Sequence, residues 1–129
     1  MTKQETFDFV VGNLIKQGRP SVHSVQHVGM NGPSITCRYR SDAGLKCAAG
    51  WCIPDEQYDP SMEGQTVCES KWIQSMVAAH DLDLLVELQT AHDSYVTNTD
   101  SWLARFLDQA RVIATDHNLN INVLNESAP

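Results

Sequence analysis

The chain has 129 residues and a net charge of −7, with 42 % hydrophobic and 19 % charged residues. That is enough apolar material for one buried core and too little length for two, so a single domain over 1–129 is expected and a disordered or fibrous chain is excluded. No apolar run approaches the roughly 20 residues of a membrane helix, and Met1-Thr2-Lys3-Gln4-Glu5 lacks the basic-then-apolar pattern of a secretory signal, so a cytoplasmic protein with no membrane partner is expected.

The first predicted element is an amphipathic helix. Thr2 and Glu5 have the spacing of a capping box, and Phe7, Val10, Val11, Leu14 and Ile15 share one face. Gly18 and Pro20 stop it. Val22, Val25 and Val28 recur every third residue, which predicts a short irregular or helical piece that Gly29, Gly32 and Pro33 break. Ser34 to Arg40 is rich in strand formers, Ser41-Asp42-Ala43-Gly44 has turn composition, and Leu45-Lys46-Cys47 begins a return strand. Together these predict a β-hairpin over 34–47.

Ala48-Ala49-Gly50-Trp51 favours helix, and Pro54 with Asp55 and Glu56 suits another helical start. Residues 62–67 read as a loop. Ser70, Asp81 and Asp100 are placed to cap three helices. Their apolar faces are Trp72, Ile73, Met76 and Val77, then Leu84, Leu85, Leu88 and His92, then Trp102, Leu103, Phe106, Leu107, Ala110, Ile113 and Ala114. Leu119, Ile121 and Val123 alternate with asparagines, which predicts a short strand against the hairpin, and 121–129 is expected to end as strand and frayed tail. The expected fold class is α+β, mostly helical with a small antiparallel hairpin or sheet.

Charge divides the chain. Residues 1–50 carry six basic against three acidic side chains, net +3, and residues 51–129 carry three against thirteen, net −10. An acidic block of this size repels phosphate backbones and attracts basic surfaces, so direct nucleic-acid binding is not expected and a basic protein partner is. The candidate contact residues are Asp55, Glu56, Asp59, Glu63, Asp81, Asp83 and Glu87. The bland alternative is a solvated face that keeps a small protein soluble. Arg38, Arg40 and Lys46 around Tyr39 suit either a phosphate site or internal pairing with the acidic segments, and internal pairing is the preferred reading.

Cys37, Cys47, Cys52 and Cys68 contain no C-x-x-C pair, so reduced, mostly buried thiols are expected and no metal or other cofactor is assigned. Two rival chemistries remain. Cys47 ahead of a helix at Ala48 has the position of an activated nucleophile, with His80 or His92 as base. Cys37 and Cys47 facing each other across the hairpin, with Cys52 and the i, i+4 pair His23 and His27, have permissive zinc spacing. His92 on an apolar stripe reads as a core histidine bonded to a backbone carbonyl, and His117 as a partner of its helix's C-terminal dipole.

The run Cys37-Arg-Tyr-Arg40, Gly44-Leu-Lys-Cys47-Ala-Ala-Gly50, Ile53-Pro-Asp-Glu-Gln-Tyr58 resembles a group of small uncharacterised proteins of phages and prophages. Leu88-Gln-Thr-Ala-His92-Asp93 and the aromatic helix near Trp102 are similar to that group as well. The resemblance covers about residues 2–119 and brings no activity with it. It implies a mobile-element setting, in which small acidic proteins bind host machinery. The expected function is therefore a non-enzymatic interaction protein that binds and inhibits a basic host protein, an anti-defence inhibitor or nucleic-acid charge mimic. A small Cys- or zinc-dependent enzyme is the alternative.

Overall fold

The computed structural model describes residues 2–26, 33–41, 43–94 and 101–125. Among the described residues, helices occupy Lys3–Gln17 (α1), Ala48–Cys52 (α2), Lys71–Met76 (α3), Leu82–Ser94 (α4), Trp102–Asp116 (α5) and Asn122–Asn125 (α6). Strands Val22–Gln26 (β1) and Pro33–Cys37 (β2) pair antiparallel, and single 3-10 turns lie at Asp55–Gln57 and Pro60–Met62.

Local chemistry explains the helix ends. Thr2 and Glu5 close a reciprocal capping box on α1, and Gly18 terminates it at φ 74°, a left-handed conformation that favours glycine. Ser70 accepts from the Ile73 amide at the start of α3, and Asp81 accepts from the Leu84 amide at the start of α4. The expected cap Asp100 lies outside the described residues, and Ser101 is the N-cap of α5.

One core joins the elements. α1 packs on α2, α4, α5 and α6, and α4 packs on α2 and α5. Phe7, Leu14, Ile73, Leu84, Leu85, Leu88, Trp102 and Phe106 are all fully buried, with Trp102 stacked on Phe106 at 5.2 Å between centroids. No helix among the described residues is long and apolar enough to cross a membrane.

The expected α+β class does not form. The described residues are mostly helical, and the sole pairing of strands among them is a two-stranded ribbon rather than a sheet that layers against helices. The hairpin over 34–47 is absent in that form. Its turn is real, with the Gly44 amide bonded to the Ser41 carbonyl and Gly44 at φ 82°, but the flanking residues make one isolated bridge, Arg40 with Lys46. The chain passes directly from that turn into α2 at Cys47, which leaves no return strand. Residues 33–37 pair instead with 22–26, where β-branched valines favour extended backbone over the helical piece that their three-residue spacing suggested.

The strand expected at 119–123 is likewise replaced by α6. Val123 and its neighbour Leu124 are both buried, which alternation forbids and a helical turn allows. Trp72, expected on the buried face of α3, is 42 % exposed.

Candidate functional site

The motif segment between Cys37 and Tyr58 folds into a knot of ion pairs and hydrogen bonds around Asp55 and Glu63. In it, Arg40 Nε and the Trp51 indole N–H stay buried without a hydrogen-bond partner among the described residues. The Arg40 guanidinium meets Asp55 at 2.7 Å, donates to the Ile53 carbonyl at 2.8 Å and lies over the Tyr58 ring. Lys46 reaches the same Asp55 at 3.4 Å and sits over Trp51. Glu63 accepts from the backbone amides of Tyr39 and Arg40 and from the Tyr58 hydroxyl at 2.6 Å, with the Arg38 Nε 4.0 Å away. These cations hold the Asp55 carboxyl below the ordinary carboxylate range. Gly50 is dictated by the knot, because a Cβ there would lie 2.1 Å from the Tyr39 carbonyl oxygen. The basic group is thus paired inside the domain, with loop acids rather than helical ones.

Seven acids were candidate contacts, and the fold separates them. Asp55 and Glu63 belong to the knot, Asp59 caps a 3-10 turn through the Ser61 amide, and Glu56 is exposed beside them. Asp81 caps α4. Asp83 is exposed on α4, and Glu87 on the same helix meets the His117 ring, which also accepts from Lys3 at 3.3 Å. His117 is the C-cap of α5, so it ties α1, α4 and α5 together as well as facing that helix's carbonyl end.

Two depressions flank α4. A cleft of about 330 Å³ is lined by Cys37, Cys47, Cys68, Val67, Val86 and Asp93 among others. A groove of about 290 Å³ runs between α4 and α5 over Val86, Ala91, Val112 and Ile113, with Glu87 and Asp116 at its edges. Val86 and Thr90 line both, so one ridge of α4 separates them.

Three of the four cysteines therefore meet in one cleft, although Cys37 faces Val22 across the ribbon rather than Cys47. All four are free. Cys47 and Cys52 are buried and Cys37 is half-buried, and Cys68 is the exposed exception to the expected mostly buried set.

Cys47 is the N-cap of α2, accepting from the Gly50 amide at 3.4 Å, as its position ahead of Ala48 suggested. The amide is not enough to activate it. Complete burial pushes the thiol far above its ordinary value, because removing a thiolate from water outweighs one amide and a five-residue helix. Burial, with the Asp93 carboxylate adding to it, pushes Cys37 up to about 12, and burial alone pushes Cys52 up to about 12.

Neither proposed base serves Cys47. His80 packs on Phe9 outside the cleft. His92 is fully buried, and its Nε2 accepts from the Ser21 amide at 3.0 Å. The backbone amide can only donate, so the ring proton is on Nδ1, aimed at Asp93 Oδ1 2.8 Å away. His92 is the expected core histidine, but it accepts from a backbone amide instead of donating to a carbonyl, while its own carbonyl accepts from Trp102 Nε1 at 2.9 Å.

The same tautomer bears on metal chemistry. The ligand atoms of Cys37, His92 and Asp93 lie within 4.8 Å of one another. Metal on Nδ1 would shift the proton to Nε2, where it would face the Ser21 N–H, whereas a ligating histidine normally donates its other N–H to an acceptor. The zinc set drawn from sequence does not assemble either. His23 lies in β1, not on a helical face, His27 is outside the described residues, and Cys52 does not line the cleft. Asp93, an acid of the same span but not one of the seven candidate contacts, is the one carboxylate lining the cleft among the described residues. Its signal was adjacency to a core histidine, which places it at the rim of the buried face.

No protein-family model, curated protein or solved structure matches the chain.

Proposed function

We propose that the protein is a non-enzymatic binding module that docks a basic partner across α4 and its groove with α5. The carrying observation is the groove itself. Val112 is 52 % exposed beside half-buried Val86, so one apolar side chain stands open in the groove with Glu87 and Asp116 at its edges. Arg111, also exposed, does not line it. Apolar contact there would supply affinity and the acidic rim would steer a positively charged partner. High thiol pKa values in the cleft and the occupied nitrogens of His92 weigh against the Cys- or zinc-dependent enzyme.

In the phage-type setting that the resemblance implies, the partner is a basic host protein, and inhibition of a defence factor by nucleic-acid charge mimicry is the sharpest form of the proposal. Among the seven acids, Glu87 lines this groove, Asp83 is exposed one turn earlier on α4, and Asp55 and Glu63 belong to the knot. The test is capture from bacterial lysate at 0.1 M and 1 M salt with wild type, Val112→Asp and the triple variant Asp55→Asn/Glu56→Gln/Asp59→Asn. A basic protein held at low salt by wild type and by the triple variant, released at high salt and lost with Val112→Asp, supports the proposal. Identical retention by all three chains contradicts it.

A further inference from the structure

Asp93 is held more firmly than a solvated surface acid requires. Its Oδ1 receives the His92 Nδ1–H and the Gln89 Nε2–H, each at 2.8 Å. Each donor is anchored in turn by a backbone amide, Ser21 on His92 Nε2 at 3.0 Å and Ala49 on Gln89 Oε1 at 2.9 Å. The Cys37 Sγ lies within 4.8 Å of the same carboxylate. This bracket fixes a carboxylate whose side chain is 41 % exposed beside a cleft with the apolar walls Val67, Val86 and Cys47. Orientation of a charged group by buried supports is what a recognition site needs, and about 330 Å³ is at the small end of organic-ligand pockets. The opposing charge on the lining, Arg38, has its Nε 4.0 Å from Glu63 Oε1, which draws it toward the knot side of the cleft.

We infer that this cleft takes one cationic head on an aliphatic stem, the end of a lysine or arginine side chain presented by the basic partner, with the head on Asp93 and the stem on Val67 and Val86. The inference deepens the reading above, since a chain laid in the α4–α5 groove need only cross the Val86–Thr90 ridge to reach the cleft. Its test uses a small probe and so does not depend on the partner.

The experiment titrates n-butylguanidinium, with neutral n-butanol as control, into isotope-labelled protein and follows amide NMR shifts. Saturable shifts at the Gln89 side-chain amide and at Thr66, Cys68 and Thr90, absent with n-butanol, are expected. Asp93→Asn keeps an acceptor for His92 and Gln89 but removes the charge, and it should weaken the probe by at least about tenfold. Val112→Asp should leave probe binding unchanged while abolishing partner capture, which separates this site from the groove. No saturable shift in wild type, or equal binding by Asp93→Asn, overturns the cleft assignment and leaves the groove reading standing. Partner capture lost with Val112→Asp but unaffected by Asp93→Asn overturns the link between the two.

Discussion

The knot over residues 37–63 and the outer face of α4 and α5 carry similar acids in sequence and use them in opposite ways. In the knot, Asp55 and Glu63 answer Arg40, Lys46, Tyr58 and two backbone amides, so their charge is consumed locally. On α4 and α5, Asp83 and Asp116 are exposed and Val112 between the helices is uncovered. Net charge therefore overstates the acidic surface that the fold leaves open. What distinguishes an available acid from a structural one is the set of donors the fold brings to it.

The difference can be broken from several directions. The largest effect lies on the inner face of α5, where Phe106→Ala should cost about 3–5 kcal/mol through lost burial and a cavity. Val112→Ala on the outer face of the same helix should stay within about 0.5 kcal/mol. Urea unfolding of the two variants measures both. Gly50→Ala tests the knot: with Tyr39 backbone 2.1 Å from the new Cβ, a loss of about 3 kcal/mol is expected, and a near-neutral result would mean that the knot relaxes easily.

Buried thiols make the same region sensitive to alkali. Cys47 and Cys52 titrate well above 9.0 when folded, so above that value the unfolded chain binds fewer protons than the folded one. Their contribution is complete below pH 9.0 and is lost as pH rises toward the folded values, with stability falling by about 1.4 kcal/mol per pH unit for each thiol. Denaturant midpoints measured between pH 8 and 11 should show the decline, and Cys52→Ala should flatten it. The smallest contrast is between acids. Glu63→Ala strips partners from two backbone amides and should cost about 1–3 kcal/mol, whereas Asp83→Asn gives up at most a weak dipole contact and should cost less than about 1 kcal/mol.

Features set by neighbours in sequence were legible before folding. The Thr2–Glu5 capping box, the Gly18 stop, the Ser70 and Asp81 caps and the Ser41–Gly44 turn each depend on groups within a few residues. Pairings at longer range were not. The partner of residues 33–37 was decided by valines upstream, and the 119–123 alternation gave way to α6, which packs on α1. The site follows the same rule. Cys47 at a helix start was readable, but the burial that keeps it protonated and the Ser21 amide that sets the His92 tautomer come from segments far away in the chain.

The central claim, that Asp83 and Asp116 on α4 and α5 are available and Asp55 and Glu63 of the knot are not, is tested most directly by mapping where a basic ligand lands. A basic amphipathic helical peptide, arginine on one face and leucine on the other, would be titrated into labelled protein at 0.1 M and 1 M salt. Those conditions shorten the Debye length from about 10 Å to about 3 Å. Saturable amide shifts confined to residues 86–94 and 109–116, weakening at high salt, are predicted. Shifts centred on Asp55, Asp59 and Glu63, or binding indifferent to salt, would contradict the account.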